Sequence, residues 1–76
     1  MIHAQADLKQ ALSASVFVSE CEAAIDRARN SRRERDLRIA ADMLNSRQHE
    51  SLPDEVQIRL AKQYAVAAVA CYGGLA

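Results

Sequence analysis

Residues 53–74 read PDEVQIRLAKQYAVAAVACYGG, the longest uninterrupted helical signal in the chain. Pro53 suits a first helical turn, and Asp54 and Glu55 suit the positive end of a helix dipole. Gly73 and Gly74 mark the stop. Between these signals, Val56, Leu60, Tyr64, Ala67, Ala68 and Cys71 recur at the spacing of one helix face. A second stripe runs beside it: Ile58, Ala61, Ala65, Val69 and Tyr72. Gln57, Arg59, Lys62 and Gln63 leave a wet side at the front of the helix. From Tyr64 to Tyr72 no charged or strongly polar residue occurs. A helix that is apolar all round has to be covered all round. This run is far shorter than the roughly 20 residues needed to span a bilayer. It therefore reads as a core helix or as a helix packed on a second chain. Its many alanines allow a close backbone approach but bury little surface per residue.

The chain has 76 residues, which predicts one domain over residues 1–76. Half of the residues are apolar, but fifteen of these are alanine, with one Phe and no Trp. A chain this short buries only about 60% of its unfolded surface, so the core is thin. Thin cores are commonly supplemented by disulfides, metals or oligomerisation. Self-association is the option this sequence favours. Net charge is zero, which argues against a general nucleic-acid or membrane-surface binder. Met1, Ile2, His3 and Ala4 lack the basic start of a secretory leader, and Asp7 interrupts any apolar run. The expected location is the cytoplasm, with Cys21 and Cys71 reduced.

In chain order, residues 4–12 predict a short helix with Ala4, Leu8, Ala11 and Leu12 on one face, frayed at residues 1–3. The β-branched and aromatic run Val16, Phe17, Val18 favours extended backbone. Two readings compete: the helix runs straight through, or, as the Ser19–Glu22 capping-box pattern favours, it breaks or kinks within residues 13–15. Beyond it, Cys21, Ala24, Ile25 and Ala28 make one helical face. Leu37, Ala40, Ala41 and Leu44 make another, with Ile39 and Met43 beside it. Ser31 and Glu34 repeat the capping-box spacing. With no Gly or Pro to enforce a break, one long helix over residues 16–45 is the favoured reading, and a hinge at Asn30–Ser31 is its alternative. Residues 45–52 form a polar connector ahead of Pro53. The predicted fold is all-α: a helical hairpin of two long antiparallel helices with a short N-terminal helix across it.

Six of the ten basic residues, Arg27, Arg29, Arg32, Arg33, Arg35 and Arg38, fall within residues 27–38. Arg32, Arg35 and Arg38 step by three and would line one helix side facing an anionic partner. Asp26, Glu34 and Asp36 are interleaved with them, so a solvated face laced by Glu34–Arg38, Arg32–Asp36 and Arg38–Asp42 pairs weighs more heavily. Residues 39–48 resemble the first helix and turn of a helix-turn-helix, but Pro53 leaves no room for a recognition helix. Cys21 and Cys71 read as small buried hydrophobes rather than as a bridge. Cys21, Cys71, His3 and His49 lack metal-ligand spacing. His49 and Glu50 stand in the connector without any nucleophile or phosphate-loop motif beside them.

These residues predict a non-catalytic protein–protein interaction module without cofactors: an adaptor, co-chaperone or inhibitor. Phe17, Tyr64, Ala68 and Tyr72 are its expected interface, and Arg32, Arg35 and Arg38 its expected anionic-partner contact. The partner would be itself, as a homodimer or larger, or another helical protein. A nucleic-acid-associated regulator using residues 27–38 is the alternative.

Overall fold

The computed structural model describes the backbone of residues 2–73 and the side chains of residues 12–73. The chain forms α1 (Ile2–Ser31), α2 (Glu34–Leu44), the single turn α3 (Arg47–Glu50) and α4 (Asp54–Tyr72). No strand occurs among the described residues. The molecule measures 55 × 19 × 16 Å. At 1.5 Å per residue α1 is about 45 Å long, and it supplies most of the long axis.

The all-α class holds, but the division into helices differs from expectation in two places. First, α1 runs without a break through residues 13–15, and Ser19 and Glu22 lie inside it instead of capping a new helix. Val16, Phe17 and Val18 are helical, which fits their lack of a strand to pair with. Second, the long helix over residues 16–45 does not form. The chain stops at Ser31, turns through Arg32 at φ 58°, and restarts at Glu34. This break falls one residue past the alternative hinge.

The reason is tertiary. The turn brings α2 back along α1. Folding back buries Leu37 and Ala40 against α1, at 4% and 0% exposure. Burying a leucine contributes about 1.5–3 kcal/mol, and one left-handed residue costs about 1–2 kcal/mol. The Ser31–Glu34 capping box does not form either. The Ser31 hydroxyl donates to Asp36 (2.6 Å) and accepts from the Arg33 N–H (3.2 Å), while α2 starts without a side-chain cap.

The three long helices α1, α2 and α4 pack on one another, and α1 lies along both of the others. The Gln63 amide donates to Glu22 (3.4 Å), and the Cys71 thiol to the Ala28 carbonyl (3.5 Å). These bonds pair α1 and α4 in parallel at an offset of 41 to 43 residues. The core follows the helical spacing read from the sequence. Phe17, Cys21, Ile25 and Ala28 come from α1, Leu37 and Ala40 from α2, and Leu60 and Ala67 from α4. Ala28, Ala40 and Ala67 are each fully buried, so the helices approach at their smallest residues.

The connector is more than a polar loop. Ser46 caps α3 by accepting from the His49 N–H, and its hydroxyl donates to the Met43 carbonyl (2.6 Å). The Gln57 side chain reaches back to the Glu50 and Leu52 carbonyls (3.1 and 2.7 Å). This turns His49 and Leu52 inward, at 9% and 6% exposure. At the other end, α4 stops at Tyr72, and Gly73 keeps an ordinary right-handed φ of −68°. The stop signal at Gly74 lies outside the described residues.

Candidate functional site

The two stripes of α4 have separate fates. The first faces inward: Leu60 and Ala67 are fully buried, and Val56, Tyr64, Ala68 and Cys71 pack against the core. The second faces out. Ile58 is 55% exposed, Val69 67% and Tyr72 46%, and Ala61 and Ala65 are exposed between them. Val66, on the flank toward α1, is also exposed. The charge-free run at residues 64–72 is thus covered on one side only.

The predicted interface set is not one surface. Phe17, at 7% exposure, is a core plug whose ring is already buried by its own chain. Tyr64 and Ala68 belong to the inner stripe. Only Tyr72 stands on the outer one. By the register of α1 against α4, Phe17 lies level with residues 58–60, about 20 Å along the axis from Tyr72. On α4, Ile58, Val66 and Val69 are exposed apolar residues missed by that assignment, as are Leu12 and Val16 on α1 and Ile39 on α2. The signal for two of them, the Ile58–Tyr72 stripe, is present in the sequence.

The arginines are likewise divided. Arg35 and Arg38 lie on α2 and line a shallow groove with Glu34, Ile39 and Asp42. Arg32 sits in the turn, off that helix, so the three do not form one row. Of the anticipated pairs, Glu34–Arg38 forms at 3.5 Å between two exposed side chains. Asp36 is bonded to Ser31 instead of Arg32. A second groove of about 410 Å³ runs between α1 and α4, walled by Glu22, Asp26 and Arg29 with Ile25, Gln63 and Val66.

His49 and Glu50 do not form an acid–base pair: His49 is buried and Glu50 is exposed. The His49 Nε2 has no hydrogen-bond partner. No group of three or more His, Cys, Asp or Glu able to hold a metal ion occurs among the described residues. No helix there is long and apolar enough to cross a membrane.

Both cysteines are free. Cys71 bonds at the level of Ala28, two helical turns and about 10 Å along α1 from Cys21, beyond disulfide reach. Burial pushes the Cys21 thiol up from its ordinary pKa, and the carboxylates of Glu20 and Glu22 add to this. The folded chain therefore holds this proton to higher pH than the unfolded chain. Its stabilising contribution is complete below the thiol's ordinary range and is lost as pH rises through it. A thiol reagent applied near neutral pH is expected to modify Cys71 first. Cys21, at 1% exposure, should follow only through opening of the fold, at least tenfold more slowly. Equal rates in a time course followed by mass spectrometry would show that the α1 core is open.

No protein family model, curated protein or solved structure matches this chain.

Proposed function

We propose that the chain is a small, non-catalytic protein–protein interaction module, an adaptor, co-chaperone or inhibitor. In this reading it buries the outer stripe of α4 against itself or a helical partner. The observation that carries the reading is the exposure of Ile58, Ala65, Val69 and Tyr72 on a helix with no charge after Lys62. Single exposed apolar residues are ordinary on protein surfaces, but a continuous stripe along one helix marks a contact. Ile58, Ala61, Ala65, Val69 and Tyr72 step by three or four, as one helix face does, and Ala65 allows close approach at its centre. Arg35 and Arg38 would steer an acidic partner without supplying most of the affinity. The nucleic-acid alternative is not carried forward, because Glu34 and Asp42 share the groove of these arginines.

Light scattering after size-exclusion chromatography tests the reading. The wild-type chain is expected to run as a dimer or larger. Val69→Glu places an unpaired charge in the stripe and should weaken association by about thirtyfold or more, with helix content unchanged. A wild-type chain that stays monomeric, and whose solubility and melting temperature Val69→Glu leaves alone, overturns it.

A further inference from the structure

The turn between α1 and α2 is where local sequence and packing disagree. Residues 27–44 contain no Gly or Pro and are rich in Arg, Ala and Leu, all good helix formers. The backbone nevertheless breaks at Arg32, in the left-handed region that a non-glycine residue rarely adopts. Residues 29–35 are all exposed, so no buried side chain fixes this turn. Its side-chain bonds are those of the exposed Ser31 hydroxyl, to Asp36 and from the Arg33 N–H, with the Cys71 thiol of α4 also reaching the Arg33 carbonyl at 3.9 Å. What keeps the turn closed is the burial of Leu37 and Ala40 against α1. That burial does not require the two helices to belong to the same chain.

We propose that the hinge at Arg32 and Arg33 opens to join α1 and α2 into one helix, and that two copies of this chain exchange everything beyond the hinge. Each α1 then receives the partner copy's α2 and α4 on the face of Phe17, Cys21, Ile25 and Ala28. The core contacts are the same pairs, made between chains instead of within one. Two strained turns relax in each dimer. The free amides at the start of α2 and the free carbonyls at the end of α1 enter a continuous ladder over residues 2–44. The opposing term is the loss of independent motion on association, so the exchanged form grows with concentration. Arg32, Arg33 and Arg35 of both copies meet near the two-fold axis, so added salt favours it. The outer stripe of α4 stays uncovered in this dimer. The exchange is therefore independent of the contact proposed for that stripe.

Arg32→Val is the deciding variant. A branched side chain is barred more strongly than arginine from left-handed backbone, by on the order of tenfold in population of the turn. Releasing two such turns raises the dimer association constant by about a hundredfold. Arg32→Gly removes the strain and lowers the constant by a similar factor. Light scattering reads the mass. Connectivity is read by labels at Ser13→Cys and Gln48→Cys, with Cys21 and Cys71 replaced by alanine. Ser13 and Gln48 line one groove in the closed chain. In doubly labelled chain diluted into unlabelled protein, exchange separates them to about 45 Å along the joined helix. The expected result is an Arg32→Val dimer with the long intrachain distance and an Arg32→Gly chain that keeps the short distance whatever mass the α4 stripe gives it. A folded Arg32→Val monomer overturns the proposal. A dimer that keeps the short distance overturns it too, because that dimer is side by side. Should Arg32→Val fail to fold, the wild-type chain decides. Its long-distance population must appear on concentration and vanish in Arg32→Gly, and a distance that stays short at every concentration overturns the proposal.

Discussion

Leu60→Ala is expected to leave this chain on the edge of unfolding at room temperature. Leu60 and Cys21 are the largest side chains with essentially no exposure. By the helix register, Leu60 lies level with residues 17–19 of α1, and it belongs to one cluster with Phe17 and Leu52. Truncating a buried leucine costs about 2–5 kcal/mol, the lost transfer energy plus the cavity left behind. The upper half of that range applies here, because the surrounding helices are already at close approach through Ala28, Ala40 and Ala67 and have little room to collapse inward. A domain of this size holds only about 3–5 kcal/mol in total. At about 4–8 °C per kcal/mol, the melting temperature should fall by roughly 15–40 °C. Ile58→Ala removes a similar volume two positions earlier, from a side chain 55% exposed. It should shift stability by no more than about 0.5 kcal/mol. Thermal melts followed by circular dichroism compare the two directly. Equal shifts would mean that the inner and outer stripes of α4 are misassigned.

That assignment shows what the sequence made legible. The two stripes of α4, the core faces of α1 and α2, and the all-α class follow from apolar spacing, because burial on one side is what spacing encodes. Which of two apolar stripes faces inward is not encoded in that way. It depends on where α2 lands, and α2 lands through a turn that only the Ser31–Glu34 spacing hints at, with no Gly or Pro to enforce it. Arg32 is a good helix former in a left-handed position, so propensity points the wrong way there. Leu37 and Ala40 override it by packing on a helix that ends only a few residues earlier. Ser19 and Ser31 show the same limit from the other side. Both match a capping pattern, yet one lies inside α1 and the other bonds to Asp36, because an N-cap forms only where the chain enters a new helix, and α2 is entered at Arg33. Phe17 falls on the core side instead of the interface for a related reason. In a run of three apolar residues every face is apolar, and only the docking of neighbouring elements selected its ring for the core and left Val16 at 56% exposure. The inward turn of His49 is set by the Ser46 cap and by the reach of Gln57 across the connector, contacts that composition alone does not announce.

The sharpest contrast lies within three consecutive residues of α4. Ala67→Glu should abolish folding, whereas Val69→Glu should leave the helices intact and act only on association. Ala67 has no exposed surface. A glutamate there brings an unpaired carboxylate into the core, at several kcal/mol, and overpacks the site by about 1–3 kcal/mol more. Together these exceed the stability of the whole domain. Ala68, partly buried against the core, is intermediate, so Ala68→Glu should lower the melting temperature as well as change assembly and is a poor probe of the interface. The charge component has its own signature. Burial favours the protonated carboxyl, so the pKa of Glu at position 67 would be raised in any folded form. Ionisation then opposes folding above that pKa, and the opposition lifts as pH falls through it. Ala67→Glu should therefore recover part of its helix content on mild acidification. Ala67→Leu, which has the crowding without the charge, should show no such recovery. Circular dichroism of the variants across pH separates the two terms. A well-folded Ala67→Glu at neutral pH would mean that the α4 face carrying Ala67 is open to water, and the division of this helix into a core side and a contact side would fall with it.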